Sequence, residues 1–157
     1  MESNALQTIM PREQERLLAM SHYEWELWRR GLRYIAGLDE VGRGPLCGPV
    51  TAAAVILPYG CQIPGLDDSK KLSEKKRLAL EEQIKEQAIA WACVSVSHKI
   101  IDEINILQAS RLAMCRAVQR LRLQPEHLLI DAVRLDLAIP QTSIVHGDCL
   151  SISIAAA

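Results

Sequence analysis

Three apolar segments, each typical of a buried strand, run directly into acidic residues. The acids that follow them are Asp39 and Glu40 after residues 34–38, Asp131 after 127–130, and Asp148 after 142–146 and a glycine. A single acid at the end of a strand is usually a turn residue. In an α/β sheet, however, functional sites gather at the carboxyl ends of the strands, so three acidic ends predict that these four carboxylates converge.

Apolar periodicity predicts a mixed α/β domain over residues 34–157. The predicted elements are strands at 34–39, 50–57, 91–96, 127–131 and 142–146, helices after Ser73 and over 104–121, and the opening of a further helix in the last seven residues. The two strands closest in sequence are expected to pair antiparallel, which makes the sheet mixed rather than wholly parallel.

Residues 1–33 are interpreted as a separate N-terminal helical extension. Pro11 suits the first turn of a helix, and Gly31 lies where the helical pattern stops. The residues that recur at helical spacing, and so predict one buried face, are Leu18, Ser21, Trp25, Trp28 and Leu32. Amphipathic helices of this kind usually pack on a core, so we expect the extension to dock on the main domain.

Composition excludes several classes of protein. The chain has 157 residues, 49% of them apolar, which suits one domain with a core and is too short for two ordinary domains. Lys and Arg total 18 against 19 Asp and Glu, a net charge of −1 that excludes a histone-type binder of nucleic acid. No apolar run could span a bilayer and no signal-peptide pattern opens the chain, so a cytoplasmic protein without membrane contact is expected. Five cysteines without a C-x-x-C pair indicate reduced thiols.

Four carboxylates a few ångströms apart raise some of their own pKa values unless cations compensate the charge. Hard divalent cations such as Mg²⁺ and Mn²⁺ favour oxygen ligands. Two such ions about 4 Å apart are a common device for phosphodiester hydrolysis, because one activates the attacking water and the other stabilises the leaving oxygen. The histidines are scattered at His22, His98, His127 and His146, so the residues favour this chemistry over a zinc site.

Two further segments suit phosphate binding. The turn Gly42-Arg43-Gly44 follows the first acids, and its glycines let the backbone approach a ligand while Arg43 supplies positive charge. Residues 70–77 hold five basic residues and one acid, beside a helix start at Ser73 that itself attracts anions. A tight loop and a solvated helix start explain the same residues without a ligand, and the turn matches neither a P-loop nor a dinucleotide-binding fingerprint.

Residues 34–49, with the sequence Tyr-Ile-Ala-Gly-Leu-Asp-Glu-Val-Gly-Arg-Gly-Pro-Leu-Cys-Gly-Pro, resemble the first motif of bacterial ribonuclease HII. The likeness continues, in the family's order, through residues 68–77, 101–109, 129–131, 147–148 and 153–157. These blocks extend over nearly everything from residue 34 onward, and together they are highly specific.

The resemblance implies a ribonuclease H-like fold with a mixed five-stranded sheet flanked by helices. It also implies a monomeric endonuclease that cleaves RNA in RNA–DNA hybrids and at ribonucleotides embedded in DNA, leaving 3′-hydroxyl and 5′-phosphate ends. The family's four carboxylates, which bind two Mn²⁺ or Mg²⁺ ions, fall on Asp39, Glu40, Asp131 and Asp148. Its substrate contacts fall on Gly42, Arg43, Gly44, Ser69 and Lys70, with the Gly-Arg-Gly turn at the ribose 2′-hydroxyl and Lys70 at a phosphate.

The sequence departs from the family's usual pattern at several positions. Ala132 and Val133 stand where glycine and asparagine are usual, and Leu150 stands where a lysine is common. Cys47 and Cys149 replace smaller or polar residues. None of these departures removes a predicted metal ligand.

Family members continue beyond Ala157, so C-terminal helices, with a tyrosine that stacks near the ribonucleotide junction, are expected to be missing from this chain. One hypothesis is an active metal-dependent ribonuclease, which the four intact carboxylates favour. A second is a non-catalytic remnant that binds hybrid without cleaving it. A third, a generic nucleotide-binding α/β protein, rests on the glycine-rich turn alone and predicts that Asp131→Asn has no effect.

Overall fold

A mixed five-stranded sheet with helices on both faces forms the centre of the computed structural model, which describes residues 9–44 and 48–157. The strands are β1 (Ile35–Val41), β2 (Val50–Ile56), β3 (Ala90–Val96), β4 (His127–Asp131) and β5 (Gln141–Ile144). The helices are α1 (Pro11–Met20), α2 (His22–Arg29), α3 (Glu74–Gln87), α4 (His98–Ile104), α5 (Ile106–Arg120), α6 (Gly147–Leu150) and α7 (Ile152–Ala156), with a 3-10 helix at Ser69–Lys71. The predicted α/β fold with a mixed sheet is confirmed.

The strand order is β3-β2-β1-β4-β5. As predicted, β1 pairs antiparallel with β2, because only a short glycine-rich turn joins them. The strand β4 pairs parallel with β1, and β5 pairs parallel with β4. The chain from β2 to β4 supplies the long crossover that a parallel neighbour requires. The strand β1 is therefore central, with β4 on its parallel side.

The helix α5 covers one face of the sheet. Small and apolar side chains repeat along its inner side, and the buried ones include Ala109, Ala113, Met114, Ala117 and Val118. They pack with Leu38, Ala52 and Ile130 in the larger of the hydrophobic clusters. Alternation along the strands then directs the neighbouring side chains of β1 and β4 to the opposite face.

The opposite face packs against α1, α3 and α7 through Leu17, Leu80 and Ile152. Ser73 begins α3 as predicted, since its Oγ accepts a hydrogen bond from the Lys76 backbone N–H at 3.3 Å. The helix α7 lies directly on β1 at Gly37. A Cβ at that glycine would come within 2.0 Å of the Ser153 carbonyl carbon, so only glycine permits this approach.

The N-terminal extension is helical and docks on the domain, but its buried face differs from the prediction. Leu18 is 43% exposed, whereas Leu17 is fully buried. The helix breaks at Ser21, where α1 ends and α2 begins, so a single helical repeat does not run through both. Ser21 and Trp28 are buried as predicted. The division into residues 1–33 and 34–157 remains a prediction.

The last acidic end also needs a correction. The strand β5 stops at Ile144, and Asp148 lies in the first turn of α6 instead of directly after a strand. His146 introduces this turn with a left-handed backbone, φ 56°. Asp39 and Glu40 lie within β1 rather than beyond it. The carboxylates are therefore presented by two strands and one helical turn.

The described cysteines Cys61, Cys93, Cys115 and Cys149 carry free thiols, in agreement with the prediction. Cys47 lies outside the described residues. Within the part of the chain that the structure describes, no helix combines the length and apolar character needed to cross a bilayer.

Candidate active site

Asp39 and Asp131 lie side by side because β1 and β4 run parallel. Their last paired residues are Leu38 and Ile130, so the next residue on each strand is the acid. Alternation along the strands places both acids on the α7 face of the sheet, opposite the face that Leu38 and Ile130 share with α5. The predicted convergence of these two carboxylates therefore follows from the register of one strand pair.

Asp148 reaches the same region through α6. The Gly147 backbone N–H donates to Asp131 Oδ1 at 2.8 Å, which ties the first turn of α6 to the end of β4. Gly147 is buried, and a Cβ there would lie 2.5 Å from the Ile154 side chain. The turn thus packs tightly between β4 and α7, with Asp148 next in the chain.

Three of the predicted ligands have raised pKa values. Burial raises the pKa of Asp39 to about 7, and the charges of Asp131, Glu40 and Asp148 add to the effect. Burial likewise raises the pKa of Glu40, and burial together with the neighbouring Asp68 raises that of Asp148. Without cations, Asp39 is therefore partly protonated near neutral pH, where isolated carboxylates are ionised.

Glu40 is held by its own strand and by the following turn. Its backbone N–H donates to Asp39 Oδ1 at 2.8 Å. Its side chain is only 9% exposed, and Oε1 lies 3.4 Å from Arg43 Nη1. This arginine lowers the pKa of Glu40 and partly offsets the effect of burial. The predicted substrate contact Arg43 therefore also neutralises one of the predicted ligands.

The Asp-Ser-Lys segment lies beside Asp148. The Lys70 backbone N–H donates to Asp68 Oδ1 at 2.9 Å, and this bond holds the pKa of Asp68 below its usual range. Ser69 and Lys70 are exposed in the 3-10 helix, and the Lys70 charge opposes the rise in the pKa of Asp148. Ser69 lines a cavity of about 390 Å³ together with Asp39 and Asp148.

The two glycines of the turn have different roles. Gly42 has a φ of +100°, and a Cβ there would lie 2.4 Å from the Pro49 carbonyl oxygen, so the fold itself requires glycine. At Gly44, a Cβ would meet no described atom within 4 Å. Among residues 9–44 and 48–157, nothing therefore blocks the approach of a ligand to Gly44 beside Arg43.

The donors of this site fit a hard divalent cation. All four predicted ligands offer carboxylate oxygens, the donors that Mg²⁺ and Mn²⁺ favour. Glu40 Oε2 is buried and has no hydrogen-bond partner among residues 9–44 and 48–157. A cation would satisfy that oxygen and stabilise the ionised form of Asp39, and metal binding displaces such protons.

A cluster of ligand atoms close enough to share one ion contains Asp148 but none of the other three predicted ligands. Within the described ranges, the one group of three metal-ligating side chains with atoms within 4.8 Å of one another is Asp68, Asp148 and Cys149. Asp68 and Cys149 are not among the predicted ligands. Sequence spacing could not reveal this group, since Asp68 is 80 residues from Asp148 and lies beside it only in the folded chain, where Cys149 Sγ is 4.0 Å from Asp68 Oδ2.

Comparison with known proteins identifies the family. The family model described as Ribonuclease HII matches residues 36–157. Ribonuclease HII of Bacillus cytotoxicus is 59% identical over 148 residues, which cover 94% of this chain and 57% of the relative. Ribonuclease HII of Bacillus cereus is 60% identical over 146 residues, with coverage of 93% and 57%. The chain thus spans somewhat more than half the length of these curated relatives.

Solved structures support the fold. The crystal structure of ribonuclease H2 from Pyrococcus horikoshii matches with a TM-score of 0.68 and 22% identity, covering 78% of this chain and 67% of that one. The structure of Bst-RNase HIII in complex with Mn²⁺ matches with a TM-score of 0.60 and 17% identity, covering 79% and 49%. At these identities the likeness concerns the fold alone. Because the family model extends over residues 36–157 and the fold agrees with it, the chain belongs to the ribonuclease HII family.

Proposed function

We propose that this protein is a metal-dependent endoribonuclease that hydrolyses the RNA strand of RNA–DNA hybrids and cuts at ribonucleotides embedded in DNA. The observation that carries the proposal is the grouping of Asp39, Glu40, Asp131 and Asp148 with pKa values raised in three of them. Like charges held together in this way destabilise a protein unless a cation or a proton compensates them. Membership of the ribonuclease HII family supports the same activity.

The four carboxylates would hold two Mn²⁺ or Mg²⁺ ions. Such ions lower the pKa of a water molecule and stabilise negative charge on a leaving oxygen. The Bst-RNase HIII structure named above was determined in complex with Mn²⁺, which supports a divalent cation of this type. The Gly147 N–H holds the Asp131 carboxylate, and the Glu40 N–H holds that of Asp39, so both side chains are oriented before a metal binds.

Hydrolysis forms a bond between a water oxygen and the scissile phosphorus and breaks the bond from phosphorus to the 3′ oxygen. The water loses a proton and the leaving oxygen gains one, so the products carry a 3′-hydroxyl and a 5′-phosphate. Arg43 and Lys70 are exposed cations beside the carboxylates, and they would bind phosphates of the substrate. This positions the scissile bond, which is a large part of catalysis in phosphoryl transfer.

The turn Gly42-Arg43-Gly44 would distinguish RNA from DNA. The ribose 2′-hydroxyl is the group by which a protein separates the two. The space beside Gly44 lets a sugar approach the backbone closely, and Arg43 lies within reach of the same place. We propose that the protein acts in the cytoplasm, as the lack of a membrane-spanning pattern in the sequence led us to expect, and that it acts as a monomer, as the family resemblance implies.

The decisive experiment is cleavage of a labelled DNA duplex that carries one ribonucleotide. We expect cutting on the 5′ side of the ribonucleotide with Mn²⁺ or Mg²⁺, and none with a chelator. Asp39→Asn should abolish cleavage while the variant still binds the duplex, because it removes a metal ligand and not a phosphate contact.

Glu86→Gln is the matched control, since Glu86 is an exposed acid in the last turn of α3. It should cleave as the parent does. Absence of metal-dependent cutting in a folded parent chain would overturn the proposed activity. Equal cutting by Asp39→Asn and the parent would overturn the assignment of the site.

A further inference from the structure

Glu24 in α2 is a fully buried carboxylate that the proposed chemistry does not use. Its Oε1 accepts hydrogen bonds from the Ser151 hydroxyl and from the Ser153 backbone N–H, the latter at 3.0 Å. Its Oε2 is buried and has no partner within residues 9–44 and 48–157. The carboxyl group of Glu24, in the N-terminal extension, therefore lies in the interior at the start of α7.

Both partners of Glu24 follow Asp148 closely in the chain. The Ser151 backbone N–H donates to the Gly147 carbonyl at 2.8 Å and so closes the single turn of α6. The Ser151 hydroxyl also accepts from the Ile154 backbone N–H at 3.2 Å and caps α7. Through Ser151, Glu24 is thus connected both to the α6 turn, which contains Asp148, and to the first turn of α7.

The segment is held from its other side by β1. The backbone of Ser153 packs against Gly37, two residues before Asp39, where no larger side chain fits. The helix α7 is therefore fixed between β1 and Glu24. A shift of α7 away from β1 would carry Ser151 and the α6 turn with it, and would move Asp148 relative to Asp39.

Packing alone does not account for a carboxylate at this position. Burial raises the pKa of Glu24, because removing a charge from water is unfavourable. A leucine of similar size would fill the same space in the interior without that cost. What leucine lacks is an acceptor for the Ser151 hydroxyl and the Ser153 N–H, which would then be buried without a partner.

We propose that Glu24 is a positioning residue: by its hydrogen bonds to Ser151 and Ser153, it fixes the α6–α7 segment and thereby the place of Asp148 in the metal site. The consequence of this role for catalysis rests on the proposed function. The fixing of the α6–α7 segment by Glu24 concerns the metal-free protein and can be tested without measuring activity.

The test compares Glu24→Leu, Glu24→Gln and Met114→Ala in the full chain. Leucine removes the acceptor, whereas glutamine keeps an acceptor oxygen on a side chain of the same shape. Met114 is fully buried on the opposite face of the sheet, so Met114→Ala controls for lost stability. Amide hydrogen exchange of the metal-free proteins reports on Gly147, whose N–H bonds to Asp131 only while α6 is in place.

We expect Glu24→Leu to lose exchange protection at Gly147 and Ser153. We also expect it to bind Mn²⁺ about tenfold more weakly in calorimetry, because loss of a residue that positions a metal ligand usually weakens metal binding by about this factor or more. With the duplex substrate, kcat should fall and KM should change little. Glu24→Gln should restore all three readouts. Met114→Ala should lower the unfolding temperature without a selective loss at Gly147.

Unchanged protection at Gly147 in Glu24→Leu would overturn the proposal whatever the activity. If the parent binds Mn²⁺, a loss of protection at Gly147 in Glu24→Leu without a change in its Mn²⁺ affinity would also overturn the proposal. If the parent itself binds no Mn²⁺, the proposed function fails, while the exchange result still decides whether Glu24 holds α6 in place.

Discussion

Asp39 is a largely buried carboxylate with other carboxylates around it, and its pKa of about 7 is the clearest electrostatic feature of the site. Burial is the main cause, and the charges of Asp131, Glu40 and Asp148 contribute. In the unfolded chain the pKa returns to its ordinary value of 3.8. Between these two values the folded protein binds more protons than the unfolded one, so this residue makes stability depend on pH.

Without metal, the contribution of Asp39 to stability should fall as the pH rises from about 4 to about 7. Below that window both states are protonated, and above it the full cost of the buried charge is present. Asp39→Asn removes the charge, so the variant should unfold at a higher temperature than the parent at pH 8, and at a similar temperature at pH 4. Thermal unfolding in chelator at both pH values tests this. A variant that is less stable than the parent at pH 8 would contradict the assigned pKa.

Gly42 and Gly44 provide a matched pair of alanine substitutions. Gly42→Ala forces a left-handed backbone onto alanine and places its Cβ 2.4 Å from the Pro49 oxygen, so we expect a loss of about 2 kcal/mol in unfolding free energy. Gly44→Ala meets no described atom within 4 Å, so stability should change by less than about 0.5 kcal/mol. Gly44→Ala should nevertheless bind the ribonucleotide duplex more weakly, because its methyl group occupies the space proposed for the sugar.

Denaturant unfolding and fluorescence anisotropy with the labelled duplex separate these two effects. Tight binding by Gly44→Ala, equal to that of the parent, would show that the substrate does not approach this backbone.

At the scale of elements, the contact of α7 with β1 determines where the site can form. The helix has only five residues, too few to be stable alone, so packing must hold it in place. Gly37 allows the helix backbone to touch the strand, and Ile152 and Ile154 are buried on the two sides of that contact. The carboxylates of β1 and α6 are brought near one another by this packing rather than by the local sequence.

Gly37→Ala tests the contact. Its Cβ would overlap the Ser153 carbonyl carbon at 2.0 Å, and since both partners are backbone, the helix must move away from the strand. We expect a cost of about 3 kcal/mol in unfolding free energy, the upper range for an overpacked core. Gly48→Ala is the control, because a Cβ at Gly48 meets no described atom within 4 Å. Equal unfolding midpoints for the two variants would mean that α7 does not pack on β1 as described.

At the scale of the whole molecule, the charge balance limits how nucleic acid can be bound. The net charge is −1, so no general attraction to phosphates adds to the contacts at the site. Arg43 and Lys70 are exposed cations beside the carboxylates that the proposed mechanism uses, since Arg43 pairs with Glu40 and the Lys70 charge acts on Asp148. Binding should therefore depend on a few placed contacts.

A shallow dependence of duplex affinity on salt follows from this. If about three phosphates are contacted, the slope of log K against log salt concentration should be about −3, and Arg43→Ala should make it shallower by about 1. Arg120→Ala is the control, because Arg120 is exposed at the end of α5, on the face opposite to the site. Anisotropy titrations across a range of salt concentrations measure the slopes. A slope that Arg43→Ala leaves unchanged would exclude a phosphate contact by this arginine.

Most strands were predictable because they are short apolar runs, whereas the mostly polar β5 ends two residues earlier than predicted. The predicted segment 127–131 coincides with β4, and Ser73 caps α3 as expected. The helical extension was predicted, but its buried residues were not, because the break at Ser21 shifts the helical phase from Leu18 to Leu17. A periodic pattern determines that a helix forms, while the turn between two helices determines which side of each helix is buried against the domain.

The local sequence by itself determined the candidate residues for the proposed chemistry: carboxylates near the ends of apolar strands, glycines where a turn must be tight, and cations in the exposed turns beside them. These local features depend only on a residue and its near neighbours in the chain, so they can be predicted from the sequence. Only the tertiary structure decided that Asp39 and Asp131 stand side by side, that Asp68 lies beside Asp148, and that Glu24 bonds to Ser151. These contacts depend on strand register and on packing between residues far apart in the chain, and a side chain reaches such a partner only after the elements that carry both have docked.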